Sequence, residues 1–193
     1  MSATSSNLQA PLPVPVAAAA VSRCFARTMA LLARGRVEVP RRNLGLPLAF
    51  GDGTSAVVYR ETVVHPVAPL DPCVLMVKFR LRAVRGRGHR VFRRLSLLNT
   101  PLFVGFPGFV SKLWMAHDSN GVYRGIYEWD GSDQAQAYAR ALWRVLALVS
   151  VPASIRYHVV PGLRRDEVLD DPRLLGEAAV PEAESWWQLV EKG

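Results

Sequence analysis

Cysteine is nearly absent. Cys24 and Cys73 stand in unlike contexts and outside any metal spacing, which excludes a disulfide framework, a four-cysteine zinc site and an iron–sulfur cluster. So few cysteines make a reducing cytoplasm the expected compartment. Long apolar runs are missing too. The most apolar N-terminal stretch, Leu12 to Val21, carries two prolines and is followed, not preceded, by Arg23 and Arg27. A secretory signal needs the basic residues first. No uncharged apolar stretch of about 18 residues exists, so no helix is expected to span a membrane. Acid is scarce in the first part of the chain. Residues 1–117 hold 16 basic and 4 acidic groups, and residues 118–193 hold 8 and 12, for a net charge of +8.

That charge admits an anionic partner without choosing one. Lys78 to Arg94 contains eight Lys/Arg and no acid. The aromatic RNP-type motif of RNA-recognition domains is missing, as is the strand–GxGxxG–helix of a phosphate loop. The run therefore reads as a solvated helix face, and no nucleic-acid partner is expected. His65, His89, His117 and His158 show no metal-ligand spacing, so no metal is expected. No GxSxG elbow occurs, and Cys73 opens a strand with no basic helix end beside it. Glu128, Asp130 and Asp133 cluster near a turn, where capping explains them.

What is present is a chain of 193 residues, half of them hydrophobic, enough for one medium domain with extensions. Met1 to Val16 reads as a disordered arm. Ala17 to Arg34 reads as an amphipathic helix and Thr54 to Val64 as a strand, and the three together form an N-terminal extension over residues 1–70. From residue 71 to 165 the pattern is strand (Cys73–Val84), helix (Arg87–Leu98), strand (Phe109–His117), strand (Val122–Trp129), helix (to Val149), strand (Ser154–Val160). This βαββαβ order predicts an α+β, ferredoxin-like domain: a four-stranded antiparallel sheet with two helices on one face. Residues 166–193 read as an acidic tail.

Alternation puts Tyr123, Tyr127 and Trp129 on one face of their strand, with Tyr157, Leu113 and Met115 beside them. That face forms the core or an aromatic pocket within it, and buried phenols need polar partners. The opposite face would carry Lys112, Trp114, Arg124, Glu128, Arg156 and His158 among Val74, Met76, Val110, Val122, Ile126 and Val160. It is too apolar to leave wet, so a homodimer is expected, with Arg124 or Arg156 pairing with Glu128 across a two-fold axis. His117 is the candidate general base.

The segments PGFVSKLWMAHDSNGVYRGIYEWDGSDQAQAYA and IRYHVV resemble the YdhR-like mono-oxygenase family of the dimeric α/β-barrel superfamily. The resemblance implies a homodimer and a pocket for a small apolar ligand, lined by Trp114, Tyr123, Tyr127, Trp129 and Tyr157. It implies cofactor-independent mono-oxygenation of an apolar aromatic or polyketide-like substrate, with no cofactor and no membrane partner. Asn99 and Trp114 are its candidate positioning residues. The alternative is a non-catalytic binding module on the same fold that docks a partner through Trp186 and Trp187.

Overall fold

The computed structural model describes residues 13–64, 68–82, 84, 86–176 and 184–193. The side chains at 95 and 97–99 lie outside that description, as does most of the expected N-terminal arm.

Helix α1 (Val14–Ala33) opens on proline and runs through an alanine-rich stretch. Strands β1 (Val37–Glu38), β2 (Pro47–Phe50), β3 (Ser55–Val64) and β4 (Pro72–Arg80) follow. Helix α2 (Arg87–Leu95) passes into a 3-10 segment, Ser96–Leu102. Next come β5 (Phe109–Met115), β6 (Val122–Asp130), α3 (Ser132–Val149) and β7 (Arg156–Pro161). The chain closes with α4 (Arg165–Asp170), a 3-10 turn at Pro172–Leu175, and β8 (Leu189–Lys192).

All strand pairings are antiparallel, in one sheet of eight strands ordered β7-β4-β6-β5-β3-β2-β8, with β1 also paired to β3. The sheet curls into a half-barrel. This corrects the expected fold: it is neither a four-stranded ferredoxin-like sheet with two helices nor a subunit of a dimeric α/β-barrel. The sheet continues past β5 because β3 pairs with it over Val58 to Val63. β2 then pairs with β3, and the C-terminal β8 pairs with β2.

Both faces are covered from within the chain. On one face, Cys73, Leu75, Val77, Trp114, Tyr127 and Trp129 pack against Tyr138 and Ala139 of α3 and against Phe103. On the other, Val74, Met76, Leu113, Met115 and Ile126 pack beneath Val168 and Leu169 of α4, Leu175, Trp186 and Leu189. Strands buried on both sides lose alternation and become nearly continuously apolar, as PCVLMVKFR in β4 is. The second face is thus not the uncovered patch from which a dimer was expected. Trp186 is buried in its cover rather than forming a docking surface.

The charges of this face are also paired internally. Buried Arg124 donates to Asp118 at 2.7 Å and to Asp52 at 2.8 Å. Within the chain, Glu128 receives Ser111 and Arg164, each at 3.3 Å. Buried Glu61 accepts from Arg165 of α4 at 2.7 Å and from Asn43 at 2.9 Å. That pair pins α4 to the sheet.

By length and composition α1 could cross a bilayer, which the sequence reading did not anticipate. It carries Arg23 and Arg27, and it docks on the protein through Ala17, Cys24 and Thr28. The loop after Pro101 lies against it. The Cys24 thiol donates to the Pro101 carbonyl at 3.2 Å, and a Cβ on Gly105 would collide with the Cys24 carbonyl oxygen and the Thr28 nitrogen.

Three outcomes test this packing. Leu169→Ala, which empties part of the cover on the second face, should cost about 2–4 kcal/mol in denaturant unfolding. Gly105→Ala should lower the melting temperature by pushing the loop off α1, and an unchanged value would contradict the close approach. His158 stacks on Trp187 with centroids 3.8 Å apart and planes 14° apart, and burial pushes its pKa down to about 4 from 6.5. The fold therefore holds the neutral imidazole, while the unfolded chain takes up a proton near 6.5. Stability from this site is full above that pH and falls as pH drops toward 4. Melting curves between pH 7.5 and 4.5 should show the loss, and His158→Phe should flatten it.

Candidate functional site

Between the first sheet face, the 3-10 segment and α3 lies a cavity of about 310 Å³. Its walls are Trp114, Tyr127, Tyr59, Phe79, Phe103 and Tyr138, closed by aliphatic residues of α3. Lys112 is set in this wall.

A slip in β5 brings Lys112 there. Phe109 faces Trp129 and Lys112 faces Tyr127, so the register shifts by one residue between Phe109 and Ser111. Side chains beyond the shift change face. Lys112 and Trp114 turn toward the helices, while Leu113 and Met115 join the opposite core. The strict alternation that placed Lys112 and Trp114 on the second face, and Leu113 and Met115 on the first, is corrected on both counts. Opposite Trp114 stands Gly125. A Cβ there would lie 2.8 Å from the Tyr127 ring and 3.4 Å from Lys112 Cε, so the glycine leaves room for both side chains.

Lys112 is 7% exposed. Its Nζ lies 3.3 Å from the Trp114 ring centroid and 4.6 Å from those of Phe103 and Tyr127. Among the described residues it has no ion pair and no hydrogen-bond acceptor. Burial, and then the nearby Arg60 guanidinium, hold its pKa well below the ordinary lysine value. The rings favour an ammonium by about 2 kcal/mol when desolvated. An unpaired buried charge costs several kcal/mol, so burial favours the neutral amine.

Arg60 stands opposite Trp114 in β3, its Cζ 5.2 Å from the indole centroid. It donates to Thr100 Oγ1 at 2.9 Å, while its Nε and Nη1 are buried without partners. Burial lowers its pKa as well. Arg60 and Lys112 thus flank one indole with no carboxylate beside them among the described residues.

The polar edges of the wall are fixed. Trp114 Nε1 donates to Thr62 Oγ1 at 3.1 Å. Tyr138 donates to Tyr127 Oη at 3.3 Å, and burial raises the pKa of both phenols. Tyr59 Oη shares a 3.0 Å hydrogen bond with Ser96 Oγ.

Of the residues expected at the site, Trp114 and Tyr127 line the cavity. Tyr123 lies beside it, stacked on Phe79 at 5.7 Å and bonded through its hydroxyl to His89 Nδ1 at 2.8 Å. His117 is not in the wall. Its ring packs 3.8 Å from that of His89, and its Nδ1 is buried without a partner. Trp129 is fully buried between Phe109 and Tyr138. Tyr157 meets Trp143 of α3 with ring centroids 6.4 Å apart and is not among the residues lining the cavity. Asn99 belongs to the 3-10 segment, and its side chain lies outside the described residues. Sequence reading missed Lys112 and Arg60 as inward residues; the signal available was a lone cation within each apolar strand, FVSKLWM and SAVVYRETVV.

No family model matches the chain, and no curated protein does. A solved structure described as a "crystal structure study of anthrone oxidase-like protein" overlaps 58% of this chain at 14% identity with a TM-score of 0.32. The chain spans 59% of the length of that structure, and a similarity at this level establishes no kinship of fold or function.

Proposed function

We propose that this chain is a small-molecule enzyme that takes an apolar aromatic or polyketide-like compound into the cavity behind Trp114 and Tyr127. The observation that carries this reading is one buried amine, without an ion-pair or hydrogen-bond partner among the described residues, opening on an aromatic-walled space. Elsewhere in the same fold buried cations are paired: Arg124 with Asp118, Arg165 with Glu61. A buried base left without a counter-ion weakens the fold, and such groups gather where chemistry needs them.

The chemistry open to Lys112 in its neutral form is proton abstraction. A hydroxyaromatic ligand lying against Trp114 would pass its phenolic proton to Nζ, and the new ammonium would be held by the rings of Trp114, Phe103 and Tyr127. The phenolate left behind is richer in electrons and more readily oxidised by dioxygen. Cofactor-independent mono-oxygenation is the activity this reading expects: one oxygen atom enters the ring and the other leaves as water with two hydrogens and two electrons from the substrate, so that a hydroxyaromatic and dioxygen become a quinone and water.

A panel of hydroxynaphthalenes and larger fused hydroxyaromatics tests the reading by tryptophan fluorescence and by oxygen uptake. Members of the panel should quench the emission of Trp114, and at least one should consume oxygen. Lys112→Met should keep binding and lower turnover by about 10²-fold or more, the usual scale for loss of a general base. Binding without turnover would mark a carrier rather than an enzyme. A folded protein that binds none of the panel would overturn the proposal.

A further inference from the structure

The chain takes nearly all of its positive charge from arginine. Lys78, Lys112 and Lys192 are its only lysines. Lys192 pairs with Asp170 at 3.0 Å on the surface. Lys78 lies over the Trp186 ring at 4.8 Å and reaches Asp52 at 4.0 Å. Of the three, Lys112 alone lines the cavity, and it has no carboxylate partner among the described residues. At this position the two cationic side chains are not interchangeable, because a guanidinium stays protonated whereas a desolvated amine beside another cation becomes a nucleophile. Arg60, on the neighbouring strand, is that second cation.

Resting on the reading of the cavity as a small-molecule site, we propose that Lys112 is a carbonyl-reactive amine and that the cavity takes an apolar aldehyde or ketone, held as an imine on Nζ. The geometry supplies what the step needs. Nζ has no hydrogen-bond or ion-pair partner among the described residues, Gly125 leaves open the space beside Cε, and the walls are largely apolar. In the reaction the Nζ lone pair bonds to the carbonyl carbon while the C=O π pair moves to oxygen. One N–H proton passes to that oxygen to give a carbinolamine. The C–O bond then breaks, the second N–H proton leaves with the hydroxyl as water, and the nitrogen pair closes the C=N bond. Amine and carbonyl become imine and water, and nothing is oxidised or reduced. Tyr127 is the carrier of that second proton: it accepts from Tyr138, so its own proton goes to the departing hydroxyl while it takes up the second N–H proton in exchange. The other ionisable groups around Nζ are Tyr59, Tyr138, Arg60 and Arg124. None is a carboxylate that would restore the ammonium.

The test is reductive trapping on the full chain, with 2-naphthaldehyde and cyanoborohydride at about pH 6.5, where an ordinary lysine is almost wholly protonated. Intact mass and peptide mapping should find one reduced adduct, on Lys112, formed ahead of any on Lys78, Lys192 or the N-terminus. Lys78 is the internal control, since burial brings its pKa down to about 8 without placing it in the cavity. Lys112→Arg should lose the adduct. Lys112→Met, checked for native circular dichroism, should lose it as well, which guards against misfolding of the arginine variant. Arg60→Leu should slow labelling at this pH by about tenfold for each unit by which the amine's pKa rises, and should move the pH profile of labelling upward. Quenching of Trp114 by the aldehyde without an adduct would sink the imine and leave the cavity reading standing. Neither quenching nor adduct would remove both. An adduct confined to Lys78 or the N-terminus would also overturn the proposal.

Discussion

Between Phe109 and Ser111 the pairing of β5 with β6 slips by one residue, so that Phe109 lies opposite Trp129 and Lys112 opposite Tyr127. Without the slip, Ser111 and Leu113 would face the helices, and Lys112 would lie under α4 among the paired charges of the second face. With it, the inner wall gains an indole and an amine, and Leu113 and Met115 complete the opposite core. Side chains change face with every one-residue shift of register, so one extra residue sets the chemistry of the cavity and the packing on its far side together.

The two faces treat buried charge in opposite ways. On the second face, Arg124 and Arg165 are each about as buried as a charged residue can be, and each meets a carboxylate at 2.7 Å. Pairing of that kind roughly offsets the loss of hydration. On the first face, Arg60 keeps one hydrogen bond to Thr100, and Lys112 keeps none among the described residues. The sequence had acids available for such positions, since Glu61 lies next to Arg60 in β3; alternation sends the carboxylate to the second face, where Arg165 takes it. The arrangement costs stability locally and leaves a basic, unpaired group in an apolar space, a pattern in which a local rule is broken at a site and upheld elsewhere.

The individual strands from β3 to β7 and the helix α3 were readable from alternation, turn residues and helical periodicity; Tyr127 lies on the face that alternation gave it, whereas Trp114 lines the cavity against alternation. The extent of the sheet was not. β2 and β8 are four residues each, too short to show a period, and they meet across most of the chain length. Nothing local in LVEK announces that it pairs with PLAF. The cover on the second face was hidden for the same reason: α4 is six residues, and Trp186 looked like an exposed anchor because its neighbours are acidic. The inward turn of Lys112 was invisible because a bulge adds a residue without changing composition. His117 drew attention because an imidazole titrates near neutrality, but its ring packs against His89 and Tyr123 and does not line the cavity.

The environment of the amine is also tied to elements far from it in sequence. Arg60 is held by Thr100 in the 3-10 segment, and that segment leads directly into Phe103, whose ring lies 4.6 Å from Lys112 Nζ. The same stretch is fastened to α1 through Cys24 and Pro101 and through the close approach at Gly105. The α1 helix thus does more than shield a loop. By holding the 3-10 segment it bears on where Arg60 stands against Trp114 and on where the Phe103 ring stands against Lys112. A shift of the loop would admit water to Lys112, and water removes the desolvation that keeps the amine neutral. The docking of an N-terminal helix and the basicity of a lysine in the middle of the sheet are in this way parts of one coupled structure.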